Sequence, residues 1–443
     1  MSALDVDGLR ALRRDLHAHP ELAFAEHRTA GIVAAQLHDL DIEVSSGIGG
    51  TGVVGVIRGN SPGPTVALRA DMDALPITEE IARDHKSTIE GVMHACGHDG
   101  HCAMLVGAAQ ILSADRDFAG TVVLVFQPAE EGAAGAPAMI DDGVLDRFGI
   151  EEIYGIHNIP GIPAGDFAVR PGTQLASFDD LDIVLTAPGG HAMAPHLTGD
   201  VIVAGSALVT ALQTIVARRL DPRVPAVVSI TQFNAGSTNN VIPPRAHLRG
   251  TARCLDAHSR DEIERLVTEI CTSVAAAHGV EVDLTYERRY PCTVNDPECA
   301  ARAARVAAQV VGDGRVDPDC DGILAAEDFA FFLQQIPGAY AFIGNGPVTE
   351  QSGPVHNPAY DFNDDAIAFG FDDGRRLLRD ELHQVARLRE IERAGLEKSG
   401  DWPGRVTEHF SPDLLKAKLD ANLLGPDLHA VDVGDRRHTK RRL

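Results

Sequence analysis

The sequence predicts an α/β protein: a mixed, largely parallel sheet flanked by helices, carrying an inserted ferredoxin-like α+β domain. Three observations predict it. Short β-branched runs alternate with helical patterns over the first 170 residues and resume after Pro291. Between them lies a block of about 110 residues with a different rhythm, β-α-β-β-α-β. Potential ligands recur where apolar strands end, which is where α/β sheets gather their ligands.

In chain order, Leu4–His19 and Thr29–Leu40 place apolar residues at helical spacing. Gly52–Arg58, Thr65–Asp71, Thr121–Gln127 and Glu152–His157 are β-branched runs that read as buried strands. Gly100–Ser113 is apolar nearly all round, as a helix packed under a sheet is. From Phe178 the segment FDDLDIVLTA alternates like a half-exposed strand, followed by an amphipathic helix over Asp200–Leu220. Strands over Ala226–Phe233 and Ala246–Cys254, a helix over Ser259–His278 and a strand over Val280–Arg288 complete the inserted unit. Then come a helix over Pro297–Val311, a helix over Glu327–Gln335, a strand over Ala339–Gly344 and a long helix from Asp364. The expected domains are therefore a discontinuous one over 1–177 and 291–397, an insertion over 178–290, and a poorly ordered extension over 398–443.

With 443 residues, 44% of them hydrophobic and 23% charged, the chain has core enough for two or three domains and is neither disordered nor fibrous. It carries 39 Lys+Arg against 64 Asp+Glu, a net charge of −25, which argues against nucleic acid as a partner because phosphate binding needs a basic face. No apolar run approaches the ~20 residues of a membrane span, and the opening MSALDVDGLRALRRDL has acids where a secretory signal is basic. Seven cysteines at irregular spacing form no disulfide framework, so a reducing, cytoplasmic location is expected.

Five segments carry chemistry. Asp71 and Asp73 leave a strand two residues apart, so both carboxylates can face one cleft, although an isolated Asp-x-Asp is more often an acidic turn. Met93–His101 holds three His and Cys96 within eight residues before the apolar helix. Thiolate and imidazole suit a borderline-soft ion such as Zn²⁺, and Gly97 lets Cys96 and His98 converge; a nucleophilic Cys96 is the rival. Glu130 and Glu131 follow the strand TVVLVF, with Pro128 ending it, so one can bind metal while the other stays free as a general base; alone, such a pair is a solvated surface feature. His157 closes another apolar strand, and His356 sits in a Gly/Pro-rich loop; either alone reads as a structural histidine.

Together with PGGHAMAPH, STNNVIPPRAHLRGTARC and AEDFAFF, the motifs RADMDALP, HACGHDGH, FQPAEEG, GIHNIP and GPVHNPAYDFND resemble the aminoacylase/carboxypeptidase family of metal-dependent amidohydrolases, peptidase family M20. The likeness is strongest to the branch that includes hippurate hydrolase and the hydrolases of indoleacetyl-amino acids, and it spans about residues 7–390. It implies a phosphorylase/hydrolase-like catalytic domain and an inserted lid that also forms a homodimer interface. It implies that Cys96, His98, Glu131, His157 and His356 bind two divalent metal ions, Zn²⁺ by the softness of the thiol, with Mn²⁺, Co²⁺ or Ni²⁺ left open. Asp71 stands where other branches have the His of a His-x-Asp pair, and Asp73 keeps the acidic position that orients a ligand. Glu130 is the implied general base, His191 the oxyanion stabiliser, and Asn240 and Arg253 substrate-binding residues of the lid. The implied reaction is hydrolysis of an N-acyl or N-aroyl amino acid by metal-activated water. A dipeptidase or carboxypeptidase on the same site, and a non-catalytic binding homologue, are the alternatives.

Overall fold

A computed structural model describes residues 5–370 of the chain. The expected extension over 398–443 and the end of the expected catalytic domain lie outside the described residues.

Eight strands form the main sheet, in the order Glu43–Ile48, Gly52–Arg58, Ala119–Gln127, Ser61–Asp71, Glu152–Ile159, Gly338–Gly344, Phe167–Ala168 and Val316–Asp317. Its four central strands, Ala119–Gln127 to Gly338–Gly344, run parallel, and antiparallel pairs flank them, so the sheet is mixed and largely parallel at its centre. Apolar side chains leave both faces, as strands covered by helices on both sides require. Val122, Leu124 and Phe126 pack with the helices Val6–Ala18, His27–Asp39, His98–Ala114 and Pro297–Val311 on one face. Val123 and Val125 pack on the other with Ala136, Met139, Phe329 and Phe332.

A second sheet has four antiparallel strands in the order Ala226–Ala235, Arg245–Cys254, Ser177–Thr186 and Glu281–Tyr290. Ser177–Thr186 alternates strictly between buried and half-buried positions, the periodicity of a sheet with one covered face. The helices Val201–Leu212 and Ala257–His278 cover that face, and Leu181, Ile183, Leu208, Leu248 and Val267 make its own apolar cluster.

Three expectations for elements differ from what is found. The helix expected over Asp200–Leu220 stays α-helical only to Leu212 and passes into a wider π-turn over Ile215–Arg219. The Thr214 hydroxyl there bonds the Ala211 carbonyl at 2.6 Å and competes with the regular helix ladder. The helix expected over Glu327–Gln335 shrinks to Ala330–Leu333, because Glu327 and Asp328 are drawn into a buried network described below. The helix expected from Asp364 begins with a 3₁₀ turn over Asp364–Ala366, and its continuation past Gly370 is outside the described residues.

Candidate metal centre

The ends of the parallel strands build the site. Asp71 ends its strand beside Gln127, and Gln127 ends the neighbouring strand three residues before Glu130. His157 lies near the end of the strand on the other side. Parallel strands put their C-terminal ends on one edge, so three ligand-bearing segments converge without long excursions.

The segment Cys96–His98 closes the site from the helix side. Gly97 has φ +96°, and a Cβ there would lie 2.1 Å from Asn158 Oδ1 and 2.5 Å from the Tyr360 hydroxyl. Only glycine permits this approach, and it brings Cys96 and His98 against the residue that follows His157. His356 has a left-handed backbone, φ 63°, which is costly for a residue with a side chain. Its amide donates to the Ala95 carbonyl at 2.7 Å, which fastens the distant loop next to Cys96.

Donor atoms of Cys96, His98 and His157 lie within 4.8 Å of one another, as do those of Cys96, Glu131 and His356. The two triads share the thiol. Cys96 Sγ is 3.3 Å from His157 Nε2, and His356 Nε2 is 3.1 Å from Glu131 Oε1. Glu130 joins His98 and Glu131 in a third group of the same span. The structure thus brings together Cys96, His98, Glu130, Glu131, His157 and His356. Asp73 is one step behind: its two carboxylate oxygens accept the amides of Glu130 and Glu131 at 3.0 Å each, and its Oδ1 is 3.3 Å from His98 Nδ1.

Behind these side chains stands a buried polar layer. His101 sits between Asp71 (2.6 Å) and Asn158 (2.7 Å). Arg69 reaches Asp71, Gln127, Glu327 and Asp328 at 2.7 to 3.2 Å. Asp71, which stands where other branches have a ligand, is therefore engaged by Arg69 and His101 first, with His98 Nε2 at 3.6 Å. The motif AEDFAFF held the signal for Glu327 and Asp328, but their contacts with Arg69 cross more than 250 residues of sequence. On the outer side, Arg13, fully buried, pairs with Asp99, in the first turn of the helix that His98 opens, at 2.9 Å and with Asp361.

Electrostatics separate the two readings of Cys96. Burial, then the carboxylates of Glu131, Glu130 and Asp71, push its thiol well above the ordinary cysteine range. A cysteine in that setting is a poor nucleophile on its own, whereas a cation between the acids would reverse the balance. Burial and the neighbouring His101 keep His157 neutral, the form that ligates. His98 is raised to about 10: burial opposes its charge, but Asp71 and Asp73 outweigh it. Burial, then Glu327, Glu131 and Asp328, holds Glu130 well above the ordinary carboxyl range, a perturbation that residue spacing did not reveal.

These residues fit divalent metal. Both ring nitrogens of His98 and Oε1 of Glu131 are buried without a well-formed hydrogen bond, although Asp73 and His356 lie 3.3 and 3.1 Å from two of them, and such atoms are costly unless something pairs them fully. The donors are one thiol, three imidazoles and a carboxylate, a mixed soft and borderline set suited to zinc and its first-row neighbours.

The residues expected from the insertion lie apart from this cluster. His191 and Asn240 are exposed neighbours: Gly190–His191 pairs with Val241–Ile242, and the Ala192 amide bonds the Asn240 carbonyl at 3.0 Å. Among the described residues, no hydrogen bond or ion pair joins either side chain to the cluster. Arg253 is half-buried over the Phe178 ring at 4.8 Å, and its Nη1 donates to the Leu324 carbonyl at 3.0 Å.

Comparison with known proteins agrees with this geometry. The sequence pattern of Peptidase family M20/M25/M40 matches residues 67–380. The chain belongs to this family. It is similar to Thermostable carboxypeptidase 2 of Saccharolobus solfataricus, 41% identical over 372 residues that cover 82% of this chain and 93% of the relative. It is 41% identical to the hippurate hydrolase of Campylobacter jejuni over 366 residues, covering 82% and 94%. The fold is that of the Bacillus subtilis YXEP protein, described as a dinuclear metal-binding M20 peptidase, with a TM-score of 0.74, 33% identity and coverage of 85% and 98%. The chain is accordingly an M20 hydrolase, and its groups of thiol, imidazole and carboxylate donors are candidate ligands for metal.

Proposed function

We propose that this M20 hydrolase cleaves the amide bond of N-acyl or N-aroyl amino acids, releasing a carboxylic acid and a free amino acid. One observation carries the reading: two donor triads share Cys96, and the Glu130 carboxylate stands beside them. Cys96, His98, Glu131, His157 and His356 would hold two divalent ions, which when bound supply Lewis acidity and acidify water. Glu130 takes the proton of the attacking water and hands it to the leaving nitrogen. No hydrogen bond to its carboxylate is found among the described residues, so it is free for that exchange, and cations held beside it would favour its ionised, proton-accepting form. Asp73 holds both glutamate amides and so sets the direction of the two side chains.

The segment 178–290 is the lid and dimerisation domain in this reading. His191 stabilises the developing oxyanion, while Asn240 and Arg253 bind substrate, Arg253 through the carboxylate. Support comes from the surface that carries them. Met193, Leu197 and Val241 are 82%, 75% and 45% exposed beside His191 and Asn240, and an exposed apolar group of this kind marks an interaction site. A second copy seated there would bury it and bring the two polar residues to a neighbouring centre.

The likeness to a named carboxypeptidase favours a second reading, cleavage of peptides at the same centre. A screen of the metal-reconstituted protein separates them, using acetyl-, benzoyl-, long-acyl- and indoleacetyl-amino acids, with dipeptides bearing a free α-amino group as controls. The expected result is turnover of the N-acyl series, reduced roughly 10²–10⁴-fold in Glu130→Gln with metal content retained. Faster cleavage of the dipeptides would replace this reading with the second, and normal turnover in Glu130→Gln would remove the base assignment.

A further inference from the structure

The turn that carries Glu130 and Glu131 is strained at both ends: Ala129 and Ala134 have φ of 56° and 60°, and neither is glycine. Left-handed backbone at residues with a side chain persists only where surrounding contacts over-determine it. Glu26 and Asp73 supply two of those contacts. Glu26 Oε1 accepts the Ala129 amide at 2.9 Å, and Asp73 accepts the Glu130 and Glu131 amides. Further contacts come from the other sheet. The Tyr290 hydroxyl donates to the Glu130 carbonyl at 2.6 Å and accepts the Ala134 amide at 3.2 Å, so a single oxygen spans the turn.

Tyr290 is the last residue of the strand Glu281–Tyr290, where the chain leaves the four-stranded sheet. It pairs in register with Phe178, at the entry to that sheet, and its ring packs edge-on against Phe178 and Phe331, each with centroids 6.0 Å away. The residue before it, Arg289, bonds the Gly132 carbonyl of the same turn. Both chain crossings between the two sheets therefore meet at one tyrosine, and its only polar atom is spent on the backbone of the glutamate turn. A tyrosine that served packing alone would leave that hydroxyl to any acceptor nearby; this one clasps the two ends of a strained loop.

We propose that Tyr290 is a positioning residue: through its hydroxyl it fixes the Glu130 turn and couples the orientation of that carboxylate to the sheet spanning 177–290. The proposal rests on Glu130 being the general base. Movement of the four-stranded sheet pulls on Tyr290 and Arg289 and so reaches the base directly, with no intervening side chain. Misplacement of a catalytic group by about 1 Å can cost ~10²-fold in rate.

The test is Tyr290→Phe, which keeps the ring between Phe178 and Phe331 and removes only the hydroxyl. On metal-loaded protein with an N-acyl amino acid, kcat is expected to fall roughly 10–100-fold while KM and metal content stay near wild type. Hydrogen exchange is expected to quicken in a peptide spanning residues 129–134 and to stay unchanged in the helix His98–Ala114. In a Glu130→Asp background, whose shortened carboxylate is already displaced, Tyr290→Phe should cost clearly less than it does alone, because the two changes act through one group. Wild-type kcat and wild-type exchange over 129–134, in a protein that Glu130→Gln inactivates, overturns the coupling alone. Exchange that rises across the whole molecule together with an equal loss of kcat in both backgrounds also overturns it, since that is general destabilisation. Full activity in Glu130→Gln removes the base beneath the proposal, whatever Tyr290→Phe does.

Discussion

The two sheets meet the same need, a cluster of polar groups at the end of a strand, in opposite ways. At the edge of the eight-stranded sheet, Cys96, His98, Glu130 and Asp73 are buried, and second residues hold most of their neighbours: Asp73 the glutamate amides, His101 the Asp71 carboxylate, Arg69 the acids behind. Beside the four-stranded sheet, at the ribbon of Gly190–His191 and Val241–Ile242, His191 and Asn240 are exposed, and among the described residues their side chains bond near sequence neighbours, Met193 and Thr238. The difference teaches that the first cluster is held in place by contacts within the chain, whereas the second has few such contacts and, in the proposed reading, waits for a second copy. Pre-organised groups act where they stand, and exposed ones act only when something is brought to them.

That contrast can be broken most sharply at its buried side. Cys96→Ser removes the donor common to both triads, so metal content measured by elemental analysis should fall and turnover should drop to background; full occupancy with full activity would exclude the thiol as a ligand. Next in size is His191→Ala, expected to lower kcat about 10²-fold or more, as loss of an oxyanion donor does, while bound metal stays unchanged. Mixing His191→Ala with Glu130→Gln should restore activity that neither has alone if the histidine serves a neighbouring centre, and mixtures that stay inactive would confine it to its own chain.

A smaller effect is expected in the support around Arg13, which pairs with the first turn of the helix His98–Ala114. Burial alone would raise the Asp361 carboxyl, but the hydrogen bond from His85 and the charges of Arg13 and Arg83 hold it well below the usual carboxylate range. A depressed carboxylate stabilises the fold above its unfolded pKa of about 4 and loses that contribution as pH falls. Asp361→Asn should therefore cost about 2 kcal/mol at neutral pH, and the difference from wild type, read as thermal midpoint against pH, should shrink below about pH 4. A gap that stays constant with pH would show that the pairing contributes nothing. Least costly of all is Met193→Glu with Val241→Glu. Both side chains are exposed, so stability should change by about 0.5 kcal/mol or less. Light scattering should report a smaller assembly; an unchanged mass would free this patch from any role in self-association.

Much of this organisation was legible in the residues. The strands Gly52–Arg58 and Ala119–Gln127 announce themselves by unbroken apolar runs, and Ser177–Thr186 by its period of two. The candidate donors were legible because they fall at strand ends and in glycine-bearing loops, and the structure brings their side chains together. The shortened helix at Glu327 was not legible: its pattern is helical, and what overrides it is Arg69, brought alongside from the far end of the chain. Tyr290 gave no signal either, since a tyrosine closing a strand looks like any half-buried aromatic until the Glu130 carbonyl is found 2.6 Å from its hydroxyl.

By itself, then, the amino-acid order determined which segments are strands, which face of each is apolar and which side chains are chemically able to hold a cation. Those properties are local, set by periodicity and by donor type. Tertiary structure alone decided that Cys96 would be shared by two triads, that His101 and Arg69 would stand behind Asp71, and that the exit from the second sheet would end on the glutamate turn. These depend on distances between residues far apart in the chain, and such distances exist only once the parallel strands have aligned their ends along one edge.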